Sequence, residues 1–277
     1  RGVSHAVGSF RRGRHGLNLP RAGSVHGFFR AVAVVAAIAA VSPGVDAAER
    51  CDGPLCLSVE RNAGAITIAA VNRGGHAPLT VAVTVTAPDA EVAGPGRGVL
   101  PPGGRADLAR ISWPGGGVGD WRYDYRWLHG APSARPDPVA LYVLPFDLPG
   151  AQVAQGCDGW VSHRGAAGQA VDFALPEGTP VLAARAGRVV GLRMDRSAGG
   201  LERAQVGQDN RVLILHDDGT VALYGHLAQD SARVRVGQPV AAGEVLALSG
   251  DTGYSAAPHL HVEVYSPLPD GGRRTWP

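Results

Sequence analysis

The segment TGYSAAPHLHVEV at residues 252–264 decides the fold of the C-terminal half of this chain. Side chains alternate between the two faces of a strand, so Leu260 and Val262 would share a face that suits a core. His259 and His261 would then share the opposite face. Pro258 and the nearby glycines indicate a tight loop that leads into the strand. The two imidazoles form a platform for metal binding or acid–base chemistry, although an H-x-H pair alone is equally typical of two solvated histidines.

Other residues of the same half favour the metal interpretation. In AVDFA, residues 170–174, Asp172 lies among small and apolar neighbours. A carboxylate is costly to bury unless it is paired or binds a metal. His226 ends the apolar segment VALYGHL at 221–227, and His163 precedes Asp172 by nine residues. The sequence therefore predicts that a carboxylate and several histidines gather on adjacent strands.

These motifs occur in a fixed order along the chain, namely DFALPEGTPV, NRVLILHDDGT, YGHL, VGQPVAAGEVLALSG and TGYSAAPHLHVEV. Because of these motifs and their order, residues 150–266 resemble the lysostaphin/LytM family of zinc peptidoglycan endopeptidases. The resemblance implies that Asp172 and His261 bind the metal and that His226 and His259 are catalytic. In the common family pattern the first metal histidine lies four residues before the aspartate, where this chain has Gly168. A related subset has a longer loop, and His163 fits that form as the remaining ligand.

The implied set is chemically coherent. Two histidines and one aspartate leave one position open on a tetrahedral Zn²⁺, as in catalytic rather than structural zinc sites. The two catalytic histidines would orient or deprotonate a water molecule and stabilise the tetrahedral oxyanion. Asp158 or a water remains an alternative to His163 as the third ligand.

Further residues of this half receive other interpretations. Glu263 shares the face of the two strand histidines, which favours a contact behind the ligands or a surface position over a general base. Asn210 and Tyr224 are expected to hold the fold or line the groove. Asp218-Gly219 is a strong hairpin signal, so the adjacent His216 is expected to be structural.

The N-terminal half shows a different pattern. Residues 55–146 contain short alternating segments separated by Gly/Pro-rich breaks, which predicts an immunoglobulin-like antiparallel β-sandwich. His76 and His129 are isolated in it and are interpreted as surface residues. The sandwich would position the protein on its substrate, brace the second domain or cover its groove. The alternating segments are LCLSVE, AITIAAV, LTVAVTVTA, WRYDYRW and ALYVLPF.

Residues 1–47 resemble an export leader. Several arginines precede the apolar run AVAVVAAIAAV at 31–41, and small residues follow it. The run is shorter than the roughly 20 residues of a membrane span, so membrane anchoring is expected only if the leader is retained. Export predicts a location in the periplasm, outside the cell or in the cell wall. In such an oxidising compartment Cys51 and Cys56 could form a disulfide, which leaves Cys157 over.

Composition excludes some functions. All 26 positively charged residues are arginine, and the net charge is only +2, too small to indicate nucleic-acid binding. The segment VRVGQPVAAGEVLALSG also resembles lipoyl and biotinyl carrier domains, but those need an acceptor lysine, and the chain has none.

The sequence thus predicts a mainly β protein, with a sandwich at 55–146 and an antiparallel metallopeptidase domain with an open groove at 151–277. The predicted function is zinc-dependent hydrolysis of the peptide cross-links of bacterial peptidoglycan, whose peptide stems would be the partner. The alternative is a non-catalytic LytM-type factor that binds the wall and activates other hydrolases.

Overall fold

The computed structural model describes residues 46–62, 64–159 and 163–277. The leader predicted at 1–47 lies outside these ranges except for its last two residues, which begin the first strand. The leader therefore stays a prediction. Within the described ranges, no helix combines the length and the apolar character needed to cross a membrane.

The N-terminal half consists of two antiparallel sheets. One has the strand order β1-β2-β3-β7-β5 and the other the order β6-β4-β8. A disulfide joins Cys51 to Cys56 across the β1–β2 hairpin, as predicted. The strands are β1 Asp46–Asp52, β2 Leu55–Asn62, β3 Ala65–Asn72, β4 Leu79–Thr86, β5 Glu91–Ala93, β6 Arg97–Leu100, β7 Arg105–Ser112 and β8 Arg122–His129.

Side-chain alternation builds the core between these sheets. On β4, Val81 and Val83 are buried, whereas Thr84 and Thr86 are exposed, as the period of two predicts. Strands of both sheets contribute to one buried cluster, which includes Ile68 of β3 and residues of β4 and β8. The two-sheet arrangement agrees with the predicted sandwich, and its immunoglobulin-like topology stays a prediction.

The segment ALYVLPF at 140–146 does not form the predicted strand. It runs as an extended strap along the C-terminal half, held by backbone hydrogen bonds from Val143 to Ala184 and from Leu182 to Pro145. Phe146 is buried in the core of the C-terminal half, where its ring meets that of Phe173 edge-on. Pro145 has no N–H to donate to a ladder, which is one reason why no regular strand forms here.

The C-terminal half is built on an eight-stranded sheet. The order is β16-β12-β14-β15-β19-β10-β9, with β20 paired to β19, and its neighbouring strands run antiparallel in the described part of the chain. The elements of the C-terminal half, which include two further two-stranded sheets, β11-β17 and β13-β18, are β9 Gln152–Gln155, the 3₁₀ helix Gly165–Ala167, β10 Val171–Ala174, β11 Pro180–Leu182, β12 Gly187–Arg193, β13 Gly199–Gly200, the 3₁₀ helix Arg203–Gln205, β14 Arg211–Leu215, β15 Val221–Gly225, β16 Pro239–Val240, β17 Val245–Leu248, β18 Gly253–Tyr254, β19 His259–Pro267 and β20 Arg273–Trp276.

The two faces of this sheet have different neighbours. Ile214, Tyr224 and Leu260 lie in the main core of the C-terminal half. The opposite face buries a second cluster in which Leu213, Val221, Leu223 and Tyr265 pack against Ala77 and Leu128 of the N-terminal half. Because Tyr265 and His261 are four residues apart on β19, they share this second face. The N-terminal half thus packs on the histidine-bearing face, at the end of β19 that lies beyond the histidines.

Candidate metal centre

Strand pairing brings the predicted residues together. In the β10–β19 pair, Asp172 lies directly opposite His261, and in the β15–β19 pair His261 lies opposite Gly225. His226 follows immediately after β15. Directly opposed residues have Cβ atoms about 4.5–5.5 Å apart, so the ladder itself sets Asp172 beside His261.

Three donor atoms converge on one point. Oδ1 of Asp172 lies 2.8 Å from Nδ1 of His261 and 3.1 Å from Nε2 of His163. All three residues are buried, and their potential ligand atoms lie within 4.8 Å of one another. The group can therefore hold a metal ion. Neither Asp158 nor Cys157 belongs to it, and Cys157 is exposed.

Hydrogen bonds fix which nitrogen of each ligand histidine faces this point. Nδ1 of His163 lies 3.0 Å from the carbonyl oxygen of Gly156, which only accepts, so Nδ1 carries the proton. The free lone pair is therefore on Nε2. Among the described residues this buried Nε2 has no hydrogen-bond partner, although it lies 3.1 Å from Oδ1 of Asp172. Nε2 of His261 lies 3.6 Å from Oε2 of Glu263, which leaves Nδ1 to face Asp172.

The charges around Asp172 and His261 favour a cation at this position. Burial disfavours charge on Asp172, yet the imidazoles of His163 and His261 hold the pKa of its carboxyl well below the usual range. Burial alone would lower the pKa of His261, but its contacts with Asp172 and Glu263 raise it to about 9. Two nitrogens and one oxygen are a donor set that suits Zn²⁺ and leaves one position open.

Two further histidines stand beside the three donors. Nδ1 of His226 donates to the carbonyl oxygen of Thr252 at 2.7 Å, and Nδ1 of His259 donates to that of Ala257 at 2.8 Å. In both rings Nε2 keeps its lone pair. The ring centroids are 4.3 Å apart, and Nε2 of His259 lies 3.9 Å from Oδ1 of Asp172. Burial, with a smaller contribution from His259, lowers the pKa of His226 to about 4, so this ring is neutral at pH 7.

His226 has a strained backbone. Its φ is +58°, in the left-handed region that non-glycine residues seldom adopt. Histidine tolerates this conformation better than most side chains. The turn directs the chain out of β15 just where the ring must meet His259, and such strain clusters at functional sites.

Comparison with known proteins agrees with this geometry. Residues 166–274 match the model of peptidase family M23. These residues form a peptidase family M23 domain. The match includes Asp172, His226, His259 and His261, whereas His163 lies three residues before its start.

Similar proteins include a peptidoglycan endopeptidase and lysostaphin. The chain is 38% identical over 104 residues to the peptidoglycan DD-endopeptidase ShyA of Vibrio cholerae, which is 38% of this chain and 21% of that protein. It is 37% identical over 94 residues to lysostaphin of Staphylococcus simulans, which is 34% of this chain and 17% of that protein. The chain spans a quarter or less of the length of the curated relatives it matches.

Among solved structures, the catalytic domain of the prophage-encoded M23 protein EnpA from Enterococcus faecalis, as an A109H mutant, superposes with a TM-score of 0.36. Its sequence identity to this chain is 25%, and the alignment covers 47% of this chain and 91% of that chain.

Glu263 and Arg273 form a buried pair behind His261. Nε and Nη2 of Arg273 lie 2.9 and 3.0 Å from the two carboxylate oxygens of Glu263. Burial opposes charge on Glu263, but Arg273 and His261 hold the pKa of its carboxyl below the usual value. The expected surface position of Glu263 is wrong, since the residue is only 2% exposed. The alternative, a contact behind the predicted ligands, agrees with its distance of 3.6 Å from Nε2 of His261. The sequence offered no signal for Arg273, because its contact depends on the β19–β20 hairpin.

The remaining predicted residues of the M23 domain have structural contacts. The side chain of Asn210 bonds the backbone of Arg196 and Leu227, and the hydroxyl of Tyr224 accepts from the amide of Ala184 at 2.7 Å. Both residues hold the fold, as expected. His216 precedes the β14–β15 turn and contacts the carbonyl oxygen of Ala186 through Nδ1 at 2.8 Å.

The two isolated histidines of the N-terminal half differ from each other. His76 is exposed, as predicted. The surface interpretation of His129 is wrong, since this residue is only 6% exposed. It ends β8 against the M23 domain, and an isolated sequence pattern does not reveal such packing between two halves of a chain.

Proposed function

We propose that this protein is a zinc-dependent endopeptidase that hydrolyses peptide cross-links of bacterial peptidoglycan. The observation that carries the proposal is the convergence of His163 and His261 on Oδ1 of Asp172, with the two free Nε2 atoms of His226 and His259 beside it. The similarity to lysostaphin and to a peptidoglycan DD-endopeptidase supports the substrate class.

In this proposal, His163 binds Zn²⁺ through Nε2, His261 through Nδ1 and Asp172 through Oδ1. Bound zinc supplies Lewis acidity, which lowers the pKa of water and polarises a peptide carbonyl. The donor atoms are held by Gly156, Glu263 and the β10–β19 ladder before any metal arrives, so little reorganisation is needed on binding.

His226 and His259 act on the reacting groups. Because both rings donate their Nδ1 protons to backbone carbonyls, each presents a basic Nε2 toward the site. One such nitrogen accepts a proton from the attacking water, and the resulting imidazolium can return that proton to the leaving amine. The other ring, once protonated at Nε2, can donate a hydrogen bond to the developing oxyanion.

We further propose that the protein is exported, since the arginine-rich and apolar leader precedes a domain whose substrate lies outside the cytoplasm. The disulfide between Cys51 and Cys56 supports an oxidising compartment.

The test combines metal content with wall hydrolysis. The chain from about residue 49, purified without chelator, should contain one zinc per molecule and release peptides from purified peptidoglycan until a chelator is added. His261→Ala should lose both properties, and Glu91→Ala, at an exposed residue of β5 outside the cavity described below, should retain both. Zinc without any cleavage of purified peptidoglycan would contradict the enzyme proposal and favour a non-catalytic factor that activates other hydrolases.

A further inference from the structure

A cavity of about 670 Å³ lies between the two halves of the chain. Pro54, Trp127 and His129 of the N-terminal half form one wall, and Arg211 and Leu213 of β14 lie in the other. None of these residues belongs to the metal centre. The cavity is therefore a second feature of the same protein, built jointly by both halves.

The M23 wall of the cavity contains a buried arginine with unpaired donor atoms. Arg211 is only 3% exposed, and its Nη2 contacts the carboxylate of Asp209 and the carbonyl oxygen of Gly207. Its Nε and Nη1 atoms have no hydrogen-bond partner in the described part of the chain. Arg193 also lies 3.7 Å from the carboxylate of Asp209, and its guanidinium donates to the carbonyl oxygens of Gly207 and Asp209. A buried, unpaired guanidinium donor is costly, and an anion would relieve that cost.

The opposite wall adds a neutral polar group. His129 is 6% exposed, its ring meets Trp127 edge-on, and its Nδ1 atom also has no hydrogen-bond partner among the described residues. Burial lowers the pKa of His129 to about 4, so the ring is uncharged at pH 7.

The two acidic residues of the lining do not neutralise Arg211. Asp52 accepts a hydrogen bond from the indole of Trp127 at 3.1 Å. The side chain of Asp195 is 68% exposed and lies 3.5 Å from Arg196. Neither carboxylate is within ion-pair distance of Arg211, whose only such partner among the described residues is Asp209.

Register places the cavity beside the metal centre. Arg211 and Leu213 share one face of β14, and this face also carries Leu223 of β15 and His261 of β19. Two strand spacings of roughly 4.8 Å separate β14 from β19, so the backbone of Arg211 lies about 10 Å from that of His261. That separation corresponds to about three residues of an extended peptide.

We propose that this cavity is a substrate subsite that binds the terminal carboxylate of a peptide stem. The free donors of Arg211 would bind the carboxylate, and the apolar walls around Trp127 and Leu213 would accept small apolar side chains. The proposal rests on the proposed function, because the stem is the substrate expected at the metal centre.

The test measures binding rather than turnover. The full chain is kept in chelator so that it binds no metal and cannot cleave the ligand. It is then titrated with N-acetyl-alanyl-alanine in its L,L and D,D forms and with the corresponding C-terminal amides. At least one free acid should bind about tenfold or more tightly than its amide. Arg211→Met should remove this difference. Arg188→Met, at an exposed arginine of β12 outside the cavity, should leave it unchanged.

A second variant is needed because Arg211→Met also removes an ion-pair partner of Asp209 and could disturb folding. Val236 lines the cavity and is 48% exposed, so Val236→Trp should narrow the cavity without disturbing Arg211 and should weaken binding of acid and amide alike. Equal binding of acid and amide, absence of binding, or a folded Val236→Trp protein that binds as wild type does would overturn the subsite. Wall hydrolysis by the zinc-loaded wild type, measured separately, would still support the proposed function in each of those cases.

Discussion

Asp172 and His261 face each other across the β10–β19 ladder, and Oδ1 of the aspartate lies 2.8 Å from Nδ1 of the histidine. Backbone hydrogen bonds that hold the sheet together therefore also set the spacing of two proposed metal ligands. The third proposed ligand, His163, comes from an irregular segment and depends on the carbonyl of Gly156 for its orientation. The two strand ligands should be the more rigid part of the site.

Replacing Asp172 with Ala should lower the affinity for zinc by more than about 100-fold, because one of three protein ligands is lost. Competition with a chromophoric chelator would measure the affinity. Asp195→Ala, at a largely exposed carboxylate, is the matched control and should bind zinc normally. Normal zinc affinity in the Asp172 variant would contradict its assignment as a ligand.

His226→Asn should retain zinc and lower kcat by about 10²- to 10⁴-fold, the usual contribution of general acid–base catalysis. Asparagine is chosen because it tolerates the left-handed φ of +58° at this position, so loss of the imidazole is separated from backbone strain. Zinc content and turnover of a cross-linked peptide would be measured on the same preparation. An unchanged kcat would exclude a catalytic role for His226.

His163→Ala tests the ligand that lies outside the matched family segment. Loss of this buried imidazole should weaken zinc binding, while the ladder that joins Asp172 to His261 stays intact. Stoichiometric, tightly bound zinc in this variant would remove His163 from the site and leave the other four residues in place.

Glu263→Gln should affect both stability and metal binding. The variant leaves Arg273 buried without a charged partner, which costs roughly 3–5 kcal/mol in the free energy of unfolding. It also weakens the contact that orients His261, which should lower zinc affinity about 10- to 100-fold.

A double variant separates these two effects. Replacing Glu263 and Arg273 together with Leu removes both buried charges and should recover much of the stability, since apolar replacements of buried pairs are often tolerated. Zinc affinity should remain low, because the partner of His261 is still missing. Recovery of both properties would show that Glu263 acts only through the stability of the sheet.

His129 should make the protein less stable in mild acid. Its pKa falls from 6.5 in the unfolded chain to about 4 in the folded one, so the unfolded state binds more protons between these values. Stability should therefore decrease as the pH falls from about 6.5 to 4, by an amount on the order of 3 kcal/mol from this residue.

The measurement compares denaturant unfolding of the wild type and His129→Phe across that pH range. Phenylalanine keeps a ring against Trp127 but does not titrate, so the pH dependence of the variant should be flatter. Parallel pH profiles for the two proteins would contradict a protonation-linked role for His129.

Local periodicity predicts which side chains share a strand face, whereas the roles of the candidate site residues are implied by the family resemblance. Alternation placed His259 and His261 on one face, and the apolar neighbours of Asp172 indicated its burial. The buried partner of Glu263, the burial of His129 and the strap at residues 140–146 could not be predicted in the same way. Each depends on packing between elements that are distant in sequence, and the sequence of one strand does not show which elements pack against it.

The apolar cluster of Leu213, Leu223 and Tyr265 beneath Ala77 and Leu128 has a practical consequence. An M23 domain separated from the N-terminal half would expose this apolar patch to water. Such a fragment should be poorly soluble and prone to self-association. Covering the patch is therefore one contribution that we expect the N-terminal half to make to the solubility of the M23 domain.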